Sequence, residues 1–125
     1  MIIDSNLVIY GPKPGYEKLR QYLRGKSVAV SAISLVEVLG YHKLTDSDRN
    51  YFEGVFKSFA ILPLTDAVVA SAVALRQSRK MSLGDALIAA TALIARRTLL
   101  THNVKDFAWI AGLTVVDPLA AGDTP

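Results

Sequence analysis

Five short apolar runs punctuate this sequence, at Ile2-Ile3, Ser27 to Ser31, Ala60 to Leu64, Thr98 to Thr101 and Leu113 to Val116. Runs this short, bounded by polar or Gly/Pro residues, read as strands, and segments with apolar residues three and four apart read as helices. Between the runs lie segments of the second kind. Parallel strands need a long crossover between them, usually a helix, so strands alternating with helices imply helices layered on a mainly parallel sheet. The expected class is α/β.

The individual elements can be placed by their start and stop signals. Ile2-Ile3 followed by Asp4-Ser5-Asn6 reads as a buried strand whose end emerges into a polar loop, and Gly11 to Gly15 (Gly-Pro-Lys-Pro-Gly) as a further loop. Tyr16, Leu19, Tyr22 and Leu23 have helical spacing, with Gly25 placed to end that helix. One helix is expected from near Ser34 to about His42 and another from near Thr45, carrying Tyr51, Phe52, Val55, Phe56 and Phe59. Pro63 confines the Ala60 to Leu64 strand to an edge or its end. Helices over Asp66 to Lys80 and Ser82 to Arg97 follow, the second nearly all apolar and therefore expected against a sheet, then a short helix over Lys105 to Ala111. Residues 1–119 are expected to form a single domain, with residues 120–125 a loose tail.

Composition removes several classes. No cysteine is present, so there is neither a disulfide framework nor a thiolate metal site. The opening Met1-Ile2-Ile3-Asp4 has no basic leader, and the longest apolar stretch, Ala86 to Ala95, is about half a membrane span. A cytoplasmic protein with no membrane association is expected. The net charge of +3 suits a nucleic-acid partner without requiring one.

In an open parallel sheet, ligands bind outside the carboxyl ends of the strands. Asp4 closes the first run, and Asn103 and Asp106 closely follow the Thr98 to Thr101 run. Ser34-Leu35-Val36-Glu37 and Ser82-Leu83-Gly84-Asp85 each put an acid three residues after a serine as a helix begins. That is capping-box spacing, so helix capping alone can account for either acid. A loop Asp bonding its own backbone can likewise account for Asp4. Convergence of the acids would change the reading, because two carboxylates about 4 Å apart repel by roughly 4 kcal/mol at an effective dielectric near 20. Protons or a cation must then relieve the repulsion. Oxygen donors without sulfur or imidazole suit Mg²⁺ or Mn²⁺. Such an ion can activate a water toward a phosphodiester.

Asp4-Ser5-Asn6 after Met-Ile-Ile, Ser31-x-x-Ser34-x-x-Glu37, Gly84 to Ala92 (Gly-Asp-Ala-Leu-Ile-Ala-Ala-Thr-Ala) and Thr101 to Phe107 (Thr-His-Asn-Val-Lys-Asp-Phe) together resemble PIN domains, and among these the VapC-type toxins of toxin–antitoxin pairs. The match runs in order from residue 1 to about residue 119. The resemblance implies a three-layer α/β/α PIN-like fold with a central, mainly parallel sheet, and Mg²⁺- or Mn²⁺-dependent endoribonuclease activity that uses water as the nucleophile. It implies that Asp4, Glu37 and Asp85 hold the metal directly or through waters, with Ser5 and Thr101 as supporting hydroxyls. Many relatives have Asp where Asn103 stands here, so the fourth position is shared between Asn103 and Asp106. The implied partners are an RNA substrate, a VapB-like antitoxin and a second copy of the chain.

Two alternatives remain open. One is a catalytically inactive PIN-like binding module, suggested by Asn103; the other is a receiver-like phosphoacceptor domain, which would want paired acids near the first strand and a mid-chain Asp. Lys13, Arg20, Arg24, Lys26, Arg76, Arg79, Lys80 and Lys105 are candidate phosphate contacts or ordinary solvated charges. Tyr10 and Tyr16 can stack a base or pack beneath their loop, His102 reads as a bystander, and Trp109 as a core or dimer contact. The helix after Ser34 is apolar on more than one face, and the surplus could bind a partner helix.

Overall fold

The computed structural model describes residues 1–120, so the expected tail lies, but for Ala120, outside the described residues. Ile2–Ile3 (β1), Ala29–Ser31 (β2), Ala60–Leu62 (β3), Leu99–Leu100 (β4) and Val115–Val116 (β5) form one sheet in the order β3-β2-β1-β4-β5. All four pairings are parallel. The connecting helices are Ser5–Tyr10 (α1), Glu17–Leu23 (α2), Ala32–Leu39 (α3), Asp46–Lys57 (α4), Asp66–Ser78 (α5), Leu83–Ala95 (α6) and Val104–Phe107 (α7).

Successive strand residues point to opposite faces, and the core divides accordingly. Ile3, Val30 and Leu100 pack with Leu7, Leu19, Val38 and Phe56 from α1 to α4. Ile2, Ala29 and Leu99 pack with Ile88, Ala89 and Ala92 of α6 and with Phe107 of α7. This makes the sheet the middle of three layers, and a further cluster of Val68, Ala72, Ala86 and Ala90 joins α5 to α6. Each fully buried large aliphatic residue contributes about 1.5–3 kcal/mol of burial free energy. β3 lies at the edge with Ala60 and Ile61 exposed, as Pro63 led one to expect. Among the described residues no helix is long and apolar enough to cross a membrane.

Two expectations need correction. The polar loop after β1 is instead helix α1, which starts at Ser5 directly after Asp4. The helix expected from near Ser34 begins two residues earlier, at Ala32, because Ser31 is its N-cap and accepts the Ile33 N–H at 3.3 Å. Thr45, Thr65 and Ser82 do cap their helices, each accepting an N–H three residues ahead.

The chain leaves central β1 toward β2 and β3, then crosses to the other side for β4 and β5. A crevice opens at the carboxyl ends of strands where the order reverses in this way. Here that point lies between β1 and β4, just past Ile3 and Leu100.

Candidate active site

The two residues that follow those strands face each other. Thr101 Oγ1 donates to Asp4 Oδ2 at 2.8 Å, and the Asp4 N–H donates to the Leu100 carbonyl at 2.9 Å. Both residues are buried, at 4% and 0% exposure. Asp4 occupies the N-cap position of α1, yet its side chain makes no capping bond. The carboxyl is turned to Thr101 instead.

Glu37 arrives from α3. With Ser31 as the cap, Ser34 lies inside the helix and Glu37 one turn further along the same face. The capping-box reading of Glu37 therefore falls: no acid stands in the first turn of α3. Ser5 Oγ lies 2.7 Å from both Ser34 Oγ and Glu37 Oε1. A hydroxyl has one proton to give. The carboxylate is the stronger acceptor, so Ser5 donates to Glu37 and accepts from Ser34. Gly84 supplies the space: a Cβ there would run into the Glu37 carboxylate.

Asp85 enters at the start of α6, where its N–H is capped by Ser82 Oγ at 3.1 Å. The capping reading holds for this residue's backbone, but its carboxyl faces the other acids. Burial pushes the Asp85 carboxyl above its ordinary range, and the charges of Asp4, Asp106 and Glu37 push the same way, against the Ser82 hydroxyl. The Asp4 carboxyl is also raised, first by burial and further by Glu37, against Thr101 and the nearby N–H groups of α1. Asp4, Glu37, Asp85 and Asp106 thus share one field. Among the described residues, however, no three acidic, His or Cys side chains are disposed to ligate one ion outright. The donors are carboxylates flanked by hydroxyls, which fit a hard ion that keeps part of its water shell, as Mg²⁺ does.

The fourth position divides unequally. Asp106 lines a cavity of about 780 Å³ together with Asp85, whereas Asn103 is exposed and absent from that wall. Asn103 is tied in through its backbone, whose N–H donates to Thr101 Oγ1 at 3.0 Å. Beside Met81 and Ser82, the rest of the cavity is basic and aromatic, with Arg76, Arg79, Lys80, Lys105 and Trp109. Its cations are four of the eight candidate phosphate contacts. Arg20 instead bonds the Gly11 carbonyl, and Lys26 lies over the Tyr22 ring. His102 pairs with Asp117 at 3.0 Å. Tyr10 and Tyr16 stack on one another at 5.6 Å, the packing reading of that pair.

Ser34 and Gly84 were not singled out as site residues in the sequence. Ser34 could have been: Ser31, Ser34 and Glu37 mark one polar line on an otherwise apolar helix. Gly84 carried no local signal, because its role lies in the approach of another helix.

Fold and site define a three-layer α/β domain with an acidic centre at the carboxyl ends of its parallel strands. The sequence pattern of the PIN domain matches residues 1–113. This chain belongs to the PIN domain family. It is 32% identical over 127 residues to a protein named Ribonuclease VapC1 from Rickettsia felis, covering 93% of this chain and 94% of that one. A solved toxin–antitoxin complex from Klebsiella pneumoniae contains a chain with 33% identity and a TM-score of 0.76, over 94% of this chain and 96% of the other. A DNA-bound VapBC from Salmonella typhimurium shares the fold at a TM-score of 0.81 and 19% identity, over 94% and 96% of the two chains. The family assignment leaves the receiver-like alternative without support.

Proposed function

We propose that this protein is a metal-dependent endoribonuclease, the toxin of a VapBC-like pair, in which Asp4, Glu37, Asp85 and Asp106 hold Mg²⁺ or Mn²⁺. The observation that carries the reading is the convergence of four acids from separate parts of the chain: Glu37 is bonded by Ser5, next to Asp4, and lies against Gly84, next to Asp85, which lines one cavity with Asp106. Capping explains the backbone around Asp85, but nothing structural calls for Asp4 and Glu37 beside it. The resemblance to a named ribonuclease supports the same reading.

The ion, when bound, lowers the pKa of a coordinated water and neutralises charge developing on the phosphodiester. The protein's own groups orient the carboxylates. Thr101 fixes Asp4, and the Ser34–Ser5 relay fixes Glu37, each by a hydrogen bond of 2.7–2.8 Å. Ser5 and Thr101 are buried, at 5% and 0% exposure, so neither is placed to attack phosphorus. Hydrolysis by water, without a covalent intermediate, follows. Asp106 is the better assignment for the fourth ligand, since it stands beside Asp85 at the cavity wall. With that charge supplied, the binding-module alternative loses the argument that Asn103 lent it.

A VapB-like antitoxin is the proposed partner. A second groove, of about 690 Å³, runs past Ile9, Tyr41, Leu44, Tyr51 and Phe52 and reaches Glu37. An apolar helix or strand seated there would touch the site it restrains. An RNA target and an antitoxin partner put the protein in the cytoplasm. Residues 1–119 would act as one domain, in the homodimer implied by the resemblance.

The test is RNA cleavage during titration with Mg²⁺ or Mn²⁺, for the wild type, Asp4→Asn and Asp85→Asn. Loss of an ion worth several kcal/mol in the transition state predicts a drop of at least about 100-fold in each variant. Equal cleavage by all three preparations would trace the activity to a contaminant and sink the assignment.

A further inference from the structure

The cavity beside Asp85 and Asp106 has a composition that the acids do not explain. Its wall holds four cations, Arg76, Arg79, Lys80 and Lys105, against two acids, and one half-buried tryptophan. The indole N–H of Trp109 donates to the Asp106 carbonyl at 3.0 Å. That bond spends the ring's only donor, and part of the ring packs against the core around Ile88 and Phe107, so what it has left to offer is the π-surface toward the cavity. The Arg79 guanidinium already lies over it, 5.1 Å from the centroid.

We propose that this cavity is a subsite for an unpaired nucleotide of single-stranded RNA next to the scissile phosphate, with the base stacked on Trp109 and the flanking phosphates drawn to the cations. The proposal rests on the ribonuclease reading of the neighbouring acids. A volume of about 780 Å³ is ample for a nucleotide. Guanidinium planes stack on bases as aromatic rings do, so an arriving base extends the Arg79–Trp109 stack or takes Arg79's place in it. Every base has a π-face, so such a platform adds affinity without reading identity. Bases inside a duplex already stack on each other and cannot reach it. The subsite thus selects unpaired segments, and choice of sequence must come from elsewhere.

Trp109 is the only tryptophan in the chain, so its emission reports this place alone. Intact protein in EDTA, where no cutting occurs, is titrated with a short mixed-sequence single-stranded oligoribonucleotide, the matching duplex and an abasic ribose-phosphate oligomer. Only the single strand is expected to quench the emission. In cleavage assays with metal, Trp109→Ala raises KM about tenfold and Trp109→Phe restores most of it. Arg79→Ala, on the exposed side of the stack, raises KM without endangering the fold. Unchanged emission while fluorescence anisotropy of a labelled RNA shows binding overturns the subsite, as does an unaltered KM in Trp109→Ala and Arg79→Ala. Cleavage with no quenching leaves the ribonuclease reading standing and removes the subsite. Quenching without cleavage under any divalent ion removes the ribonuclease reading and keeps the subsite as a place that binds RNA.

Discussion

Asp4 and Asp85 are both held above the ordinary carboxylate range, chiefly by burial and further by neighbouring acids. A carboxyl whose folded pKa exceeds its unfolded value binds protons more tightly when folded. Stability then falls as pH rises from the unfolded value, about 4, through the raised folded one. A cation competes with those protons, so its stabilising effect must grow across the same window. The melting-temperature increment given by Mg²⁺ or Mn²⁺ should accordingly be larger near about pH 7.5 than near about pH 4.5. Asp85→Asn should raise the melting temperature of the metal-free protein at the higher pH and remove most of the increment. Calorimetry of both proteins at both pH values checks this; an increment independent of pH, or untouched in Asp85→Asn, refutes the shared field.

At the scale of elements, the close approach of α3 and α6 is what brings Glu37 to Asp85, and Gly84 permits it. Gly84→Ala should separate stability from activity. Alanine gains roughly 0.5–1 kcal/mol over glycine in a helix, while the colliding atom is the far end of a flexible side chain, which can swing away. The expected result is a melting temperature equal to or above that of the wild type with cleavage down about 10–100-fold; a variant that cuts RNA normally would show that Glu37's position is not critical. The same approach explains what could be read in advance. Helix starts at Thr45 and Ser82 were legible because a cap is a local bond. Helix α1 was not, since six residues opening Ser-Asn offer turn chemistry and no apolar periodicity. The start of α3 was misplaced because Ser31 and Ser34 are both acceptable caps, and the bonds that tell them apart are remote, Ser34 with Ser5 29 residues away and Ser31 with Thr91 60 residues away. The acids were legible as residue types in the right order. Their convergence was not, for it depends on contacts between elements remote in sequence, and the family resemblance supplied it.

For the molecule as a whole, the basic cavity and the apolar groove approach the acids separately, one past Asp85 and Asp106 and the other past Glu37. A substrate and a restraining partner can therefore be disturbed independently. Tyr41→Asp, at a residue 54% exposed in the groove, should weaken antitoxin binding at least about tenfold while leaving RNA cleavage within about twofold of the wild type. Titration calorimetry beside a cleavage assay reads both, and parallel losses would show that the two surfaces are not separate. One consequence reaches back to synthesis. Asp4 is synthesised well before Thr101, which orients it and follows 97 residues later, and β1 lacks its β4 neighbour until then. A chain that has not reached Thr101 lacks the groups that complete the site, and a fragment ending at Arg97 should neither cut RNA nor melt cooperatively. The acidic centre is completed only when the β4 segment arrives, which, on the proposed function, leaves an antitoxin time to be waiting.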